Sequence, residues 1–216
     1  MNKLAAATLV VAGFAVDAHA APSTGEIRGT VTVKGRRTSA GVLVYLEGVP
    51  GQAPAPTDHA VVRQREKQFD PPVTIVVRGT TVDFPNEDKI FHNVFSVSRP
   101  ARFDLGLYKS GTTKSVEMKR AGTVDVYCNI HSEMVAKVKV LDNAYYAITD
   151  AQGRFRIAGV PAGAIPVVAW LPTGDQATAT VTVRSGEAVD VKLEVTAIAK
   201  RETHTRKDGT PYGRYK

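Results

Sequence analysis

Residues 124–140 read VDVYCNIHSEMVAKVKV and hold the only cysteine of the chain, with a histidine three residues on and a methionine six residues on. On either side of this cluster the pattern alternates. Val124, Val126 and Cys128 fall on one face and Thr123, Asp125 and Tyr127 on the other; Ala136, Val138 and Val140 oppose Lys137 and Lys139. A period of two is the signature of strands with one buried face. Cys128 therefore ends a half-buried strand with its sulfur towards the core, and His131 and Met134 lie on the loop returning to the next strand. A short loop between two anchored strands holds its side chains nearly fixed.

The rest of the chain narrows what that thiol can do. The first twenty residues, MNKLAAATLVVAGFAVDAHA, run from Lys3 through an apolar stretch to Ala18-His19-Ala20. This is the pattern of a secretory signal peptide (residues 1–20) with an A-x-A cleavage site, too short to span a bilayer. An exported, soluble, periplasmic protein is expected, without a membrane span. An oxidising compartment favours disulfides, yet a single thiol forms none within the chain. The same count excludes c-type haem attachment, cysteine-ligated iron–sulfur clusters and Cys₄ zinc sites. There remain a buried thiol, a nucleophile, an intermolecular bridge, or a metal site with one thiolate. No oxyanion-hole or substrate-pocket signature accompanies the cysteine, so a catalytic role is not expected.

Strand signals recur through the rest of the sequence. GEIRGTVTVKG (25–35) and AGVLVYLEG (40–48) alternate and end in glycine, and the Pro-rich GQAPAPTD (51–58) connects them to HAVVRQREKQF. DPPVTIVVRGTTVDFPNED, FHNVFSVS, KSVEMKRAGTVDVYC and MVAKVKVL follow, then YYAITD, RFRIAGV, GAIPVVAW, ATATVTVR and AVDVKLEV. Short, evenly spaced strands with Gly-, Asn- and Pro-containing turns and no convincing helix indicate an all-β fold of sandwiches.

Thiolate, imidazole and thioether form a soft donor set, suited to copper cycling between Cu(I) and Cu(II) in a His₂Cys arrangement with a weak axial Met. The missing histidine is sought upstream, in VDFPNEDKIFHNVFS, where His92 begins a strand and Asn93 follows it. His19 leaves with the signal, His59 borders the Pro-rich connector and His204 lies in the tail. The segments FPNEDKIFHNVF and VYCNIHSEM, spanned by residues 58–142, resemble the cupredoxins, the type 1 blue copper proteins of the plastocyanin and amicyanin kind. The resemblance implies a Greek-key β-sandwich with one copper per chain, His92, Cys128 and His131 as equatorial ligands and Met134 as the axial one. It makes Asn93 the residue that ties the two ligand-bearing loops together. It sends electrons through the exposed edge of His131, with the outward-facing Tyr127 as a second route. Ser132 stands where short-loop relatives often carry proline, a departure that removes no ligand. Singly, each of these residues reads as core or surface; four in ligand order within a β-sandwich pattern read as a copper site.

The flanks resemble a second family, the carboxypeptidase regulatory-like (transthyretin-like) β-sandwich. Gly29, Val31, Val42, Val44 and Leu46 fit its first part, and Thr149, Asp150, Gly153, Phe155, Ile157, Val160, Pro161 and Gly163 its second. The implied organisation is a discontinuous sandwich of residues 25–51 plus 144–198, with the copper domain (52–143) inserted. Such insertion suits a domain whose termini lie close together; two sandwiches in series are the alternative. The tail, 199–216, holds six Lys/Arg against Glu202 and Asp208 and lacks apolar periodicity, so it is expected to be mobile. It supplies part of the net charge of +7, which favours encounter with acidic partners; nucleic acid is not an expected partner of an exported chain. The expected function is that of an electron carrier, not an enzyme, passing single electrons between redox partners such as a periplasmic cytochrome or oxidoreductase. Copper delivery or buffering, and a carbohydrate or protein contact module on the same scaffold, are the alternatives. Delivery sites tend to be open and rich in methionine, and this chain has only three.

Overall fold

The structure is a computed structural model that describes residues 24–49, 57–198 and 204–212. The expected signal peptide and most of the Pro-rich connector lie outside these residues. The chain is all-β: no helix occurs among the described residues, and none is long and apolar enough to cross a membrane.

Strands β1 (Thr24–Lys34) and β2 (Leu43–Leu46) come first, followed by the short β3 (Ala60–Val61), β4 (Arg63–Arg65) and β5 (Gln68–Asp70). Next are β6 (Val73–Val77), β7 (Thr81–Pro85), β8 (His92–Ser96), β9 (Phe103–Tyr108) and β10 (Thr113–Glu117). The cysteine strand β11 (Gly122–Tyr127) and its partner β12 (Val135–Leu141) close this set. The remainder is β13 (Tyr146–Ile148), β14 (Arg154–Pro161), β15 (Gly163–Trp170), β16 (Gln176–Val183) and β17 (Ala188–Thr196). The sequence pattern anticipates most of these but marks no strands within HAVVRQREKQF, where β3, β4 and most of β5 lie. It also misses β9, although Phe103, Leu105 and Leu107 alternate along it; Gly106, with a left-handed φ of 66°, lies in mid-strand.

Two cores organise the strands. Sheet β6-β12-β11-β8-β9 faces sheet β10-β7-β3, and Phe84, Val94, Met118, Val124, Val126, Cys128, Met134 and Val138 are packed between them. Sheet β14-β1-β17 and sheet β13-β2-β15-β16 enclose a separate core that includes Ile27, Val44, Leu46, Ile157, Val167 and Val195. In this second sandwich, strands from before residue 49 pair with strands from after residue 145: β2 with β13 (Val44↔Ala147) and β1 with β14 (Ile27↔Ile157). The segment carrying the cysteine lies between them in sequence and pairs within itself. Burying about 25 cal/mol per Å² of apolar surface, each core supplies its own cohesion.

A third cluster joins the two. Leu43, Tyr45, Leu141, Val168 and Trp170 pack together with Val73 and Ile75. Lys139, which alternation assigns to a solvated face, is only 6 % exposed here. Its ammonium lies 4.8 Å from the ring centroid of Tyr45 and 5.1 Å from that of Trp170. Two aromatic faces replace part of the lost hydration. Burial nevertheless pushes the Lys139 ammonium below its ordinary value of 10.5, with Glu47 opposing the shift. Below the shifted value the ammonium is charged in both states and burial penalises the fold. Between the shifted value and 10.5 the unfolded chain binds the extra proton, so stability climbs with pH across that window. In urea unfolding at a series of pH values, Lys139→Met is expected to flatten this climb relative to the parent; equal pH slopes would contradict it.

Candidate metal centre

Cys128 directly follows β11, and the pleat that buries Val124 and Val126 also buries its side chain completely. β8 neighbours β11 in the same sheet and begins at His92, whose side chain is likewise fully buried. The loop from Cys128 to Met134 closes on itself: the amide of Cys128 donates to the carbonyl of Met134 at 3.3 Å, and the amide of Met134 to that of His131 at 3.2 Å. Met134 is fully buried in the same core.

Three ligand atoms converge. Nδ1 of His92 lies 3.2 Å from Nδ1 of His131, and Sγ of Cys128 lies 3.9 Å and 3.7 Å from these two nitrogens. An ion about 2.0 Å from each nitrogen and about 2.3 Å from sulfur spans triangle edges of about 3.4–3.8 Å. The observed triangle fits a single metal ion of that size. The soft sulfur and two imidazoles fit copper in chemistry as well.

Asp88 orients the buried histidine. Its Oδ2 receives Nε2 of His92 at 2.7 Å, which leaves Nδ1 pointing at the triangle. The same carboxylate accepts the amides of Glu66 (2.7 Å) and Lys67 (2.9 Å) at the tip of the β4–β5 hairpin. Both tip residues have positive φ, 54° and 57°, as a two-residue primed turn requires. Neither is glycine, so the turn carries strain that the two charge-assisted hydrogen bonds offset. Burial raises the Asp88 carboxyl, but the bonds from Lys67, His92 and Glu66 outweigh it and hold the group below the usual carboxylate range.

The three ligands respond to one another. Burial lowers the basicity of His92, yet the thiol of Cys128 and the carboxylate of Asp88 reverse this and raise it. His131 is depressed by burial and by the facing charge of His92. Burial pushes the Cys128 thiol up, but His92 and the amides of Asn93, Ile130 and His131 overcome it, so the thiolate is favoured. A site that stabilises a buried thiolate among imidazoles suits a metal cation.

Asn93 bridges the two ligand segments. Its Oδ1 accepts the amide of Asn129 at 3.2 Å, and its Nδ2 donates to Asp104 at 2.8 Å. The other two described histidines add no ligand atom to the triangle. His59 pairs with Asp83 at 3.0 Å on an exposed edge, and Nδ1 of His204 bonds the carbonyl of Thr205 at 2.8 Å.

Two further features surround the ligand loop. The described residues of the tail, 204–212, are seated on the ligand loop: the hydroxyl of Tyr212 donates to the carbonyl of Cys128 at 2.6 Å. Aromatic stacking and hydrogen bonding to the loop backbone stand in for the apolar periodicity that the tail lacks. Tyr127 lies on the face of β11 opposite Val124 and Val126 and is half-buried, with Phe95 at 5.7 Å and the ring of His204 stacked on it at 4.4 Å and 22°. Sequence reasoning also missed Asp88 and Asp104. Asp88 could have been found, since it lies four residues before His92 in NEDKIFH; Asp104 lies on the overlooked β9.

No protein-family model and no curated protein matches the chain. Solved structures do. A purple cupredoxin from Nitrosopumilus maritimus is 22 % identical, with a TM-score of 0.35, covering 38 % of this chain and 98 % of its own. A singly substituted amicyanin in its reduced form is 26 % identical with a TM-score of 0.37, covering 45 % of this chain and 97 % of its own. Another reduced amicyanin variant is 27 % identical with a TM-score of 0.36, covering 43 % and 95 %. Over part of its length, the chain is similar to solved cupredoxins.

Proposed function

We propose that the chain is a periplasmic blue copper protein that carries single electrons between redox partners. One copper would be held by His92, Cys128 and His131, with the thioether of Met134 as a weak axial donor. The domain division that goes with this reading is a copper domain of residues 52–143, inserted into a regulatory-like sandwich of residues 25–51 plus 144–198. The observation that carries the function is the triangle of Sγ and two Nδ1 atoms inside a buried core.

Copper bound there supplies a one-electron Cu(I)/Cu(II) couple. The protein's part is to hold the ligands still. Cys128 and His92 are anchored by adjacent strands, His131 and Met134 by a loop closed through two backbone hydrogen bonds, and Asp88 fixes the ring of His92. A donor set that does not rearrange lets an electron enter and leave with little nuclear motion. The amides facing Sγ and the apolar walls set the potential by stabilising the thiolate and excluding water. His131, the least buried of the three ligands, is the proposed point of exchange with a partner, and Tyr127, adjacent to Cys128, the second route. Burial of His92, Cys128 and Met134 favours a carrier over a delivery protein, whose ligands must open to release metal.

Titration of the metal-free protein with Cu(II) tests this. The expected result is an intense blue absorption saturating at one copper per chain and a reversible one-electron wave in voltammetry. Tight Cu(I) binding that exchanges readily with a chelator, with no stable coloured Cu(II) form, would point to delivery instead.

A further inference from the structure

The chain leaves the flanking sandwich at Ile198 and is next described at His204, on the metal centre. Residues 206–210 form a tight turn: the amide of Arg206 donates to the carbonyl of Thr210 and that of Gly209 to the carbonyl of Arg206, both at 2.8 Å. Gly209 has a left-handed φ of 83°, and Asp208 accepts the amide and hydroxyl of Thr210 at 2.9 and 2.7 Å. The turn brings Tyr212 back against His204, ring edge to face at 5.2 Å. The turn of the segment is therefore held by hydrogen bonds of its own.

Three of its contacts fall on consecutive residues around the thiol. His204 stacks on Tyr127, Tyr212 bonds the carbonyl of Cys128, and the amide of Lys207 donates to Oδ1 of Asn129 at 2.9 Å. The ammonium of Lys207 reaches Oδ2 of Asp104 at 2.6 Å. Asp104 holds Asn93 through its other oxygen, and Asn93 holds the amide of Asn129. Asn93, Asn129, Lys207 and Asp104 thus form a closed ring of hydrogen bonds. It ties the residue after His92 to the residue after Cys128 and locks both to the C-terminal segment. Burial raises the Asp104 carboxyl, but the bonds from Lys207, Gly106 and Asn93 hold it below the usual range, so it stays an acceptor at neutral pH.

We propose that Lys207 and Tyr212 are positioning residues of the metal centre, clamping the start of the ligand loop from outside while Asn93 clamps it from inside. The proposal rests on reading the triangle as a copper site. The clamp acts where the loop begins, so it restricts motion of Cys128 relative to His92 and His131. A closed ring does this better than separate bonds, because each bond limits the motion that the others would otherwise allow.

The test compares the parent with Tyr212→Phe, Lys207→Ala and a chain ending at Ile198. In the metal-free proteins, amide hydrogen exchange at Asn129, Ile130 and His131 is expected to quicken about tenfold in the single variants and further in the shortened chain. Exchange at Val138, on the far side of the strand pair, is expected to stay unchanged. In the copper-loaded proteins the thiolate-to-copper absorption and the EPR hyperfine splitting are expected to shift in the same order. Parental exchange rates at residues 129–131 in the shortened chain would overturn the clamp. So would quickened exchange combined with parental copper spectra, since the segment would then only cover the loop. If exchange quickens and none of the proteins, parent included, turns blue, the clamp on the loop stands and the copper assignment falls.

Discussion

Cys128→Ser is expected to abolish the blue colour of the copper(II)-loaded protein while leaving its fold intact. The sulfur is fully buried, faces two imidazole nitrogens at 3.9 and 3.7 Å, and is stabilised as a thiolate by His92 and the amides of Asn93, Ile130 and His131. A serine hydroxyl fills nearly the same space but is far less acidic and much less polarisable. It supplies neither a thiolate charge nor the low-energy charge transfer that colours such a centre. Loss of an outer partner alone lowers metal affinity about 10–100-fold, so loss of the anionic ligand is expected to exceed about a hundredfold. Absorption spectra and a chelator competition, run beside the parent, measure both quantities. Thermal unfolding of the metal-free pair, expected to differ by only about 1–2 kcal/mol, confirms that the fold survives. A variant as blue as the parent would remove Cys128 from the ligand set.

Gly29→Ala is expected to strike the other sandwich. Gly29 lies at the centre of β1, paired with Phe155 on one side and Val191 on the other. A Cβ there would come within 1.9 Å of the carbonyl oxygen of Val191 and 3.2 Å of the ring of Phe155. The oxygen belongs to the backbone of β17, which runs parallel to β1 from Glu26↔Ala188 to Lys34↔Thr196. Relief therefore requires prising apart the ladder between β1 and β17. The expected cost is about 3 kcal/mol, equivalent to a melting point lower by about 10 °C for a chain of this size. Because Cys128 sits in the other core, the blue spectrum at room temperature is expected to be unchanged. Calorimetry and absorption on the same sample check both halves. An unaltered melting temperature would show that β1 and β17 tolerate the added methyl group.

Much of the candidate site was legible because its information is local. Val124, Val126 and Cys128 announce their shared face through alternation, and the pleat places them together in one core. His131 and Met134 follow from the loop that must return to β12. His92 needed one long-range inference, that the strand beginning at FHNVF lies beside the cysteine strand, and β8 does pair with β11. Lys139 misled the pattern. Alternation says only that a side chain leaves one face, not whether another sandwich covers the opposite one, and here Tyr45 and Trp170 do.

By itself, then, the sequence determined the all-β character and the grouping of Cys128, His131 and Met134 at a strand end and its loop, since strand periodicity and loop spacing are properties of neighbouring residues. The tertiary structure alone decided that Asp104, Lys207 and Tyr212 come to lie around the ligand loop. Tyr212 meets Cys128 across 84 positions, Lys207 meets Asn129 across 78 and Asp104 across 103. Contacts of that span leave no periodic trace in the chain. They exist only because folding of the strands and the turn at residues 206–210 brings their partners to one place.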